Sequence, residues 1–405
     1  MFTCLSRFLP LVSAVSLLSG APAPSVFDVT AHGAKGDGKT LETDAIQAAV
    51  DACHQAGGGV VLFPKGDYLT GTIVLKSNVT LHVSAGATIW GSRRLEDYRP
   101  QHVIYARGAQ NIAVEGDGTI NGNGDAFWYP DFKPHEKRPG RVMELVECQD
   151  VRIEKIKIRN TAEWGIHPLA CDRVLIRGIS MISDCRGPNT DGIDPDSSRN
   201  VVISDCYIET GDDAIVIKTT GRLGMPPPPS ENITVTNCVL LSDDAALKLG
   251  TESHADFRNI VFSNCAIQKT RIGLAIFAKD GGVFENVSFS NITIETDPAR
   301  TEYPIFIDLE KRREDSRASR VRDISFNGIT IHTGGRILVA GMPEHPLENL
   351  MFRDIFMRIS GYEAVEKIRK TRGSSQVGPA PPEIDYGPAP SAIAFANVRG
   401  LSLDN

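Results

Sequence analysis

A short pattern of polar and apolar positions recurs along most of the chain. In each copy a polar residue, usually Asn or Asp, precedes alternating apolar residues, and most copies follow one another after 23 to 32 residues. The copies begin at Asn78, Asn111, Asp150, Arg173, Asn200, Asn232, Asn259, Asn286, Asp323 and Asn349. Apolar alternation indicates short strands, and one such unit per repeat predicts one coil of a solenoid.

A second column of residues supports a solenoid of strands. From Asp150 onward, a small or branched apolar residue follows six positions after each marker. These residues are Ile156, Ile179, Cys206, Cys238, Cys265, Ile292, Ile329 and Ile355. Like side chains that recur once per coil stack inside a parallel β-helix, whereas leucine-rich repeats and propellers need patterns that are missing here. We therefore predict an all-β, single-domain parallel β-helix of about ten coils.

The segment before the first coil carries helix signals. A helix can begin at Glu42 or Thr43, and the run of three glycines at 57–59 ends it. One face of this helix carries Ile46, Ala49, Val50 and Cys53. We expect strands near 59–63 and 72–75 to follow, and the helix to cover the exposed apolar end of the first coil.

Four stretches interrupt the repeat. They are rich in Pro, Gly and charged residues, which predicts loops that flank a groove. These stretches are 121–142, 219–230, 296–320 and 361–392.

Composition narrows the classes of function. The net charge of −7 is a poor match to nucleic acid, and an acidic substrate would need locally placed Arg or Lys. Residues 1–24 are typical of an export signal, because Arg7 precedes an apolar run that is too short to span a bilayer. We expect a secreted or periplasmic protein with one domain at 25–405 and no nucleic-acid or membrane partner. The sequence leaves the oligomeric state open.

The cysteines favour a structural role. Removal of Cys4 with the signal would leave seven of the eight cysteines, so at least one is unpaired. Cys206, Cys238 and Cys265 occupy one repeat position, which predicts stacked, buried side chains rather than disulfides. No spacing typical of a metal site is present.

The residues with catalytic potential are concentrated between Asn189 and Lys218. Two acidic clusters, around Asp191 and at Asp212-Asp213, are separated by one strand unit and so fall on neighbouring coils. Mutual repulsion among these carboxylates raises the pKa of at least one of them. A protonated acid beside an ionised base is what glycoside hydrolysis requires. A cation site and solvated turn carboxylates are the alternatives.

Regular strand geometry adds a constraint. Neighbouring strand residues point to opposite faces, so Asp212 and Asp213 cannot both face a groove from a regular strand. We expect them at a junction between a turn and a strand, with Gly211 at the bend.

The chain contains Asn189-Thr-Asp-Gly, Gly211-Asp-Asp-Ala and Arg271-Ile-Gly, in this order on its repeats. These motifs resemble those of glycoside hydrolase family 28, the polygalacturonase family. Trp164-Gly-Ile-His-Pro168 and the segment from Phe27 to Gly71 resemble the bacterial exo-acting and divergent members of that family, and the likeness spans about residues 26–357. The resemblance implies a right-handed, pectin-lyase-like β-helix, no cofactor and hydrolysis with inversion. On matching positions, Asp212 would be the general acid, and Asp191 and Asp213 would activate water.

The chain departs from the family pattern at two motifs. The family's Gly-His-Gly aligns with 244–246 and its Arg-x-Lys with 271–273, so one histidine and one lysine are missing. Lys248, Glu252, His254 and His167 are possible replacements. The predicted substrate-binding residues are Asn189, His167, Lys248, Glu252 and Arg271. We expect no metal, and exo-type cleavage of a pectic galacturonan or rhamnogalacturonan.

The sequence is also compatible with two other functions. A pectate-lyase-like enzyme would bind Ca²⁺ with these aspartates and abstract a proton with a basic residue such as Arg271. A non-catalytic β-helix would bind glycans without cleaving them.

Overall fold

Parallel strands wind coil after coil through the described part of the chain. The computed structural model describes residues 25–299, 302–360 and 391–405. Strands account for 56% of the structure, and every ladder is parallel. The predicted parallel β-helix is therefore confirmed. The predicted export segment at 1–24 lies outside the described residues and stays a prediction, as does the domain boundary at 25.

The described residues contain one α-helix, α1 (Thr43–Gln55), and three 3₁₀ helices (Val29–His32, Leu95–Asp97 and Gly124–Phe127). The strands in chain order are β1 (Val26–Asp28), β2 (Asp37–Leu41), β3 (Gly59–Phe63), β4 (Gly66–Thr70), β5 (Ile73–Val74), β6 (Val79–Val83), β7 (Ala87–Gly91), β8 (His102–Arg107), β9 (Gln110–Glu115), β10 (Thr119–Asn121), β11 (Arg141–Val146), β12 (Gln149–Glu154), β13 (Lys157–Arg159), β14 (Trp164–Leu169), β15 (Asp172–Arg177), β16 (Ser180–Ile182), β17 (Arg199–Ser204), β18 (Tyr207–Thr210), β19 (Ile215–Thr219), β20 (Ser230–Thr236), β21 (Val239–Ser242), β22 (Ala245–Ser253), β23 (Phe257–Ser263), β24 (Ala266–Thr270), β25 (Ile272–Ala278), β26 (Val283–Thr296), β27 (Tyr303–Leu309), β28 (Arg320–Thr333), β29 (Ile337–Ala340), β30 (Leu347–Ile359), β31 (Ile393–Ala396) and β32 (Val398–Asp404).

Three sheets form the walls of the coil. The largest contains 22 strands and covers two faces, because the long strands β26, β28 and β30 bend from one face to the next. The third face has two parts, a four-strand sheet from β5 to β14 and a six-strand sheet from β19 to β31. Isolated bridges from Ile166 to Ile193 and from Ile193 to Ile215 connect these two parts. We call the third face the groove face, because the candidate catalytic residues lie on it.

The polar markers of the sequence are the corners of the coil. All ten have φ between 52° and 64°, the left-handed conformation that Asn and Asp adopt more readily than other side-chain-bearing residues. Their amides also form a ladder between coils, in which Nδ2 of one asparagine donates to Oδ1 of the previous one. The distances are 3.2 Å from Asn232 to Asn200, 3.0 Å from Asn259 to Asn232 and 3.3 Å from Asn286 to Asn259.

The interior contains matching stacks of apolar side chains. Phe262, Phe289, Phe326 and Phe352 stack with ring centroids 4.7–4.9 Å apart and nearly parallel planes. Cys206, Cys238 and Cys265 are all buried, and none of the seven described cysteines forms a disulfide. The predicted cysteine column is therefore confirmed. These stacks bury a large apolar surface in every coil, which stabilises the solenoid.

The cap and the loops can be compared with the sequence predictions. Helix α1 buries Ile46, Ala49, Val50 and Cys53, the predicted face, and contacts β1, β3 and β5 at the first coil. The predicted loop at 296–320 is wrong in its middle, because β27 lies there with all seven residues buried. Charged residues on both sides and Pro304 hid this strand from the pattern. Most of the predicted loop at 361–392 lies outside the described residues.

Within residues 25–299, 302–360 and 391–405, none of the helices has the length and apolar character needed to cross a membrane.

Candidate active site

The three candidate catalytic carboxylates meet at one edge of the groove face. Asp212 and Asp213 lie in the bend between β18 and β19, and Asp191 precedes the bridge at Ile193 on the previous coil. One carboxylate oxygen from each residue lies within 4.8 Å of the other two. The junction between turn and strand that the sequence predicted is present. A side chain at Gly211 would place its Cβ 2.6 Å from the backbone oxygen of Gly187, so the bend needs glycine.

Hydrogen bonds fix the backbone of this bend. The hydroxyl groups of Thr210 and Ser242 each donate to the backbone oxygen of Asp212 at 2.7 Å. The backbone N–H of Asp213 donates to Oδ1 of Asp212 at 3.0 Å. The side chains of the adjacent aspartates are therefore held in fixed positions relative to each other.

Burial and mutual repulsion raise the pKa of all three carboxyls. For Asp191 and Asp212 burial is the largest cause, followed by the neighbouring carboxylate, Asp194 for the first and Asp191 for the second. For Asp213 burial also raises the pKa, while Lys248 opposes the shift. Groups this close share protons, so the cluster titrates as a unit and holds at least one proton to higher pH than an isolated carboxyl.

Two buried lysines divide this cluster electrostatically. Lys248 Nζ donates to Asp213 Oδ2 at 2.7 Å, and Lys218 Nζ lies 3.6 Å from Asp191 Oδ2. Burial by itself would lower the pKa of both lysines, but the surrounding carboxylates raise it, so both remain charged. Asp213 and Asp191 therefore each lie beside a cation that favours their ionised form. Asp212 forms no such ion pair with any residue that the structure describes, and Asn189 Nδ2 donates to its Oδ2 at 3.3 Å.

Asn189 is held in place by a neighbouring loop. Arg138 Nη2 donates to Asn189 Oδ1 at 2.9 Å, and Arg138 Nη1 donates to the backbone oxygens of Ala162 and Pro188. Arg138 lies in the segment between the 3₁₀ helix at 124–127 and β11. The loop predicted at 121–142 is therefore hydrogen-bonded to the corner that carries the candidate catalytic aspartates.

His167 lies behind the site rather than at its surface. It is completely buried, with Nδ1 2.7 Å from Glu144 Oε2 and Nε2 3.3 Å from Asp196 Oδ2. The pKa of Asp196 is lowered to about 2, because the contacts of His167 and Thr220 outweigh the effect of burial. A direct contact between His167 and a substrate gains no support from this position, and the burial favours a role in positioning the strand.

Glu252 and Arg271 are both engaged in ion pairs. Glu252 Oε2 lies 3.4 Å from Lys218 Nζ, and burial would raise its pKa, but Lys218 and other cations lower it to about 2. Arg271 Nε donates to Asp244 Oδ1 at 2.6 Å, and Nη2 contacts the same oxygen. His254, the remaining possible replacement, lies 3.9 Å from Asp280.

Three residues of the site, Lys218, Asp194 and Trp164, were not predicted from the sequence as site residues. Lys218 is the last residue of the acidic stretch, and its Nζ lies within 4 Å of Asp191, Asp194 and Glu252. Asp194 is fully buried, with its pKa raised to about 7 by burial, and neither oxygen has a hydrogen-bond partner among the described residues. Trp164 has Lys218 Nζ 4.6 Å and the guanidinium of Arg222 5.1 Å from its ring. The guanidinium of Arg141 stacks on the ring of Trp164, 3.9 Å from the ring centroid.

The same lysines bear on the possibility of a cation site. Asp191, Asp212 and Asp213 are close enough to bind one metal ion. A divalent cation there would lie beside the ammonium groups of Lys218 and Lys248, which already neutralise two of the three carboxylates. A bound Ca²⁺ would be repelled strongly by these two ammonium groups, because the buried surroundings have a low dielectric constant. The three carboxylates therefore do not form a suitable Ca²⁺ site.

Comparison with known proteins identifies the family. The model of "Glycosyl hydrolases family 28" matches residues 53–375, which is most of the chain. The chain belongs to glycosyl hydrolases family 28. The segments Asn189-Thr-Asp-Gly and Gly211-Asp-Asp-Ala, which carry the three aspartates, lie within the matched residues.

Several relatives can be compared with this family 28 chain. A "Probable polygalacturonase" of Vitis vinifera is 34% identical over 211 residues, covering 46% of this chain and 43% of the relative. An "Exo-poly-alpha-D-galacturonosidase" of Dickeya chrysanthemi is 28% identical over 253 residues, covering 47% of this chain and 42% of the relative. The chain thus matches less than half the length of these curated relatives.

A solved structure extends the comparison over most of the fold. The exopolygalacturonase of Thermotoga maritima superimposes with a TM-score of 0.72 at 26% identity, covering 83% of this chain and 88% of that one. A polygalacturonase from Erwinia carotovora superimposes with a TM-score of 0.69 at 21% identity, which supports the fold alone.

Proposed function

We propose that this family 28 chain is a glycoside hydrolase that cleaves a pectic polysaccharide or oligosaccharide from its end. The observation that carries the proposal is the charge arrangement of the three aspartates. Asp213 and Asp191 each adjoin a buried ammonium group, whereas Asp212 adjoins other carboxyls and the amide of Asn189. One proton shared by this cluster is thus most stable on Asp212.

This arrangement supplies the two functions that hydrolysis needs. Protonated Asp212 donates its proton to the glycosidic oxygen as the bond to the anomeric carbon breaks. Asp213 and Asp191, both ionised, hold a water molecule and accept its proton as its oxygen attacks that carbon. The products are two sugars, one with a new hydroxyl from water, and the cluster ends the reaction with the same number of protons.

The stereochemical outcome follows from which groups hold the water. In inverting enzymes the acid and base are commonly about 6.5–9.5 Å apart, so that water fits between them. Here the nearest oxygens lie within 4.8 Å, which is shorter. The separation alone does not lead to inversion. We include inversion in the proposal because the resemblance to family 28 implies it and because Asp191 and Asp213 together can hold the attacking water.

The cations around the site shape the substrate preference. Lys248 pairs with Asp213 and Arg271 with Asp244, so neither is freely available to a sugar carboxylate. Arg222 is exposed, lies over Trp164 and forms no ion pair within the described part of the chain. We infer that Arg222 is the cation that a sugar carboxylate can reach. Because Lys248 and Arg271 are already paired, we expect the catalytic subsite to bind a uronate more weakly than a pocket with several free cations would.

Exo-type action is supported by the loop that carries Arg138. This loop contacts the catalytic corner through Asn189 and through the backbone of Ala162 and Pro188. Trp128, in the same loop, is buried and donates to Ala162 oxygen at 3.0 Å. A packed loop at this point would close one end of the groove, which favours the release of terminal sugars over cleavage within the polymer.

The test is a product analysis across pectic substrates. Homogalacturonan, rhamnogalacturonan, xylogalacturonan and aryl glycosides are incubated with the enzyme while reducing ends, viscosity and product size are measured. We expect reducing ends to appear with little loss of viscosity, and proton NMR to show the inverted anomer first. Rapid loss of viscosity with mixed oligomers would instead indicate an open groove and endo action.

The same assay separates the two other functions. Unsaturated products that absorb ultraviolet light would show a lyase, and release of no sugar from any pectic substrate would favour a glycan-binding protein. Either result would refute the proposed hydrolysis.

A further inference from the structure

A second concave region lies near the N-terminal end of the coil, away from the three aspartates. It is a cavity of about 710 Å³ beside the outer surface of β2, β4 and β7. Its floor is apolar and its rim is polar. The lining includes Leu41, Leu69, Trp90, Arg93 and Arg94.

The floor is a fixed aromatic platform. Trp90 points outward from β7, and its indole Nε1 donates to Asp67 Oδ1 at 2.9 Å, which fixes the orientation of the ring. Leu69 pairs with Trp90 across the sheet, and Leu41 pairs with Leu69. A rigid indole with flanking leucines presents a flat apolar surface, and the apolar face of a sugar ring is a suitable partner for such a surface.

The rim exposes two arginines, Arg93 and Arg94, beside one exposed carboxylate, Asp67. The side chains of Arg93 and Arg94 are 57% and 63% exposed, whereas Asp97, the partner of Arg94, is only 7% exposed. Arg93 forms a surface pair with Asp125 at 3.1 Å, and pairs of that kind contribute only about 0–1 kcal/mol. The guanidinium of Arg93 is therefore available to an incoming carboxylate, which it can bind with two hydrogen bonds, whereas Arg94 already donates two hydrogen bonds to Asp97.

The cavity is aligned with the catalytic corner. Parallel strand pairing connects the two places. Starting at Trp90, the paired positions on successive strands are Asn121, Arg159, Ile182 and Glu209. Glu209 lies three residues before Asp212. Trp90 and Glu209 are thus at the same position on strands four steps apart. At a spacing of about 4.8 Å per strand, this separation is roughly 19 Å along the axis of the coil. A polymer lying along this edge can reach both places, and a disaccharide cannot.

The geometry points to a second saccharide-binding site in this cavity, one that takes a segment of an acidic oligosaccharide. A pyranose ring rests on the indole of Trp90, and its carboxylate binds Arg93. The site increases the affinity for long chains and takes no part in the chemical step. The choice of an acidic sugar as ligand rests on the proposed function, whereas the site itself rests on the cavity.

The experiment measures binding rather than turnover. Asp212→Asn protein, which cannot consume the ligand, is titrated with long oligogalacturonates and with a galacturonate disaccharide by calorimetry. Adding Trp90→Ala is expected to weaken binding of the long chain about 3- to 10-fold, as loss of an aromatic contact does, and to leave disaccharide binding unchanged. Adding Arg93→Ala is expected to weaken binding of the long chain and to reduce its dependence on salt.

Phe356→Ala is the matched control. Phe356 is a 59% exposed aromatic residue on the same sheet near the other end of the coil. Unchanged long-chain affinity in Trp90→Ala, or an equal loss in Phe356→Ala, would overturn the inference. If a neutral galactan competes for the site as well as an oligogalacturonate does, the ligand is not an acidic sugar. If the wild-type protein cleaves no pectic substrate and Trp90→Ala still weakens binding, the proposed function fails while the site stands.

Discussion

Replacement of Lys248 by methionine tests the electrostatic division of the catalytic cluster. Lys248 donates to Asp213 at 2.7 Å, and both side chains are buried. The interaction stabilises ionised Asp213, so its removal raises the pKa of that carboxyl above the already elevated value. A charge-assisted hydrogen bond contributes about 1.5–3 kcal/mol, which corresponds to a shift of about 1–2 pH units.

The shift has a definite sign in the pH profile. Because Asp213 must be ionised to accept a proton from water, the acidic limb of kcat/KM in Lys248→Met should move to higher pH by about 1–2 units. Below that limb the rate should be about 10- to 100-fold lower than in the wild type. Lys248→Arg keeps the charge and should leave the limb in place. The measurement is kcat/KM on the best pectic substrate over the range in which the protein is folded.

Thermal unfolding across the same pH range provides a second readout. A carboxyl whose pKa is raised in the folded state contributes stability at low pH that is lost as the pH rises through its folded pKa. Lys248→Met should therefore lose stability more steeply with rising pH than the wild type. An acidic limb within about 0.3 pH units of wild type, combined with a lower plateau, would refute the reasoning and show that Lys248 acts on the substrate instead.

Three further predictions concern the acid, the metal and the core. Asp212→Asn keeps the size of the side chain but cannot donate the proton, so kcat should fall at least about 10²–10⁴-fold with an unchanged circular dichroism spectrum; activity within a few-fold of wild type would remove Asp212 from the acid role. A chelator should leave the initial rate unchanged, and a loss that Ca²⁺ restores would favour a lyase. Phe289→Ala should lower the free energy of unfolding by about 3–5 kcal/mol in urea titrations, because Phe289 is fully buried between two stacked rings; a change below about 1 kcal/mol would mean that the stack contributes little.

The fold was predictable because each coil repeats the same local physics. Asn200 and the other markers bend the chain in the left-handed conformation, and the residue six positions later enters the interior. A second bend was present in the sequence but was not recognised. Five positions after the markers, residues such as Asp205, Asn237, Asn264 and Asn291 also have positive φ, between 54° and 59°. Strand β27 was missed because charged flanks break the pattern that its buried residues follow.

The site was predictable in part. The carboxylates could be placed on one patch because the two motifs lie one coil apart. The direction in which Lys248 points depends on the register of β22 with β19, where Val216 pairs with Lys248, and spacing alone did not determine it. The burial of His167 depends on Glu144 and Asp196, which lie 23 and 29 residues away in the chain. Such contacts arise from stacking and leave no local signature.

The stacking of coils also determines how the active centre forms. Among the described hydrogen bonds and ion pairs of the three aspartates, the one that joins the most distant residues, between Lys248 and Asp213, spans only 35 positions. In a solenoid each coil contacts only its neighbours, so folding can begin at one place and spread along the axis. The proposed catalytic centre therefore needs only a short, continuous run of coils rather than the meeting of distant chain ends. Amide hydrogen exchange of β17 to β22 should accordingly report a single opening event, and that event sets the lifetime of the assembled site.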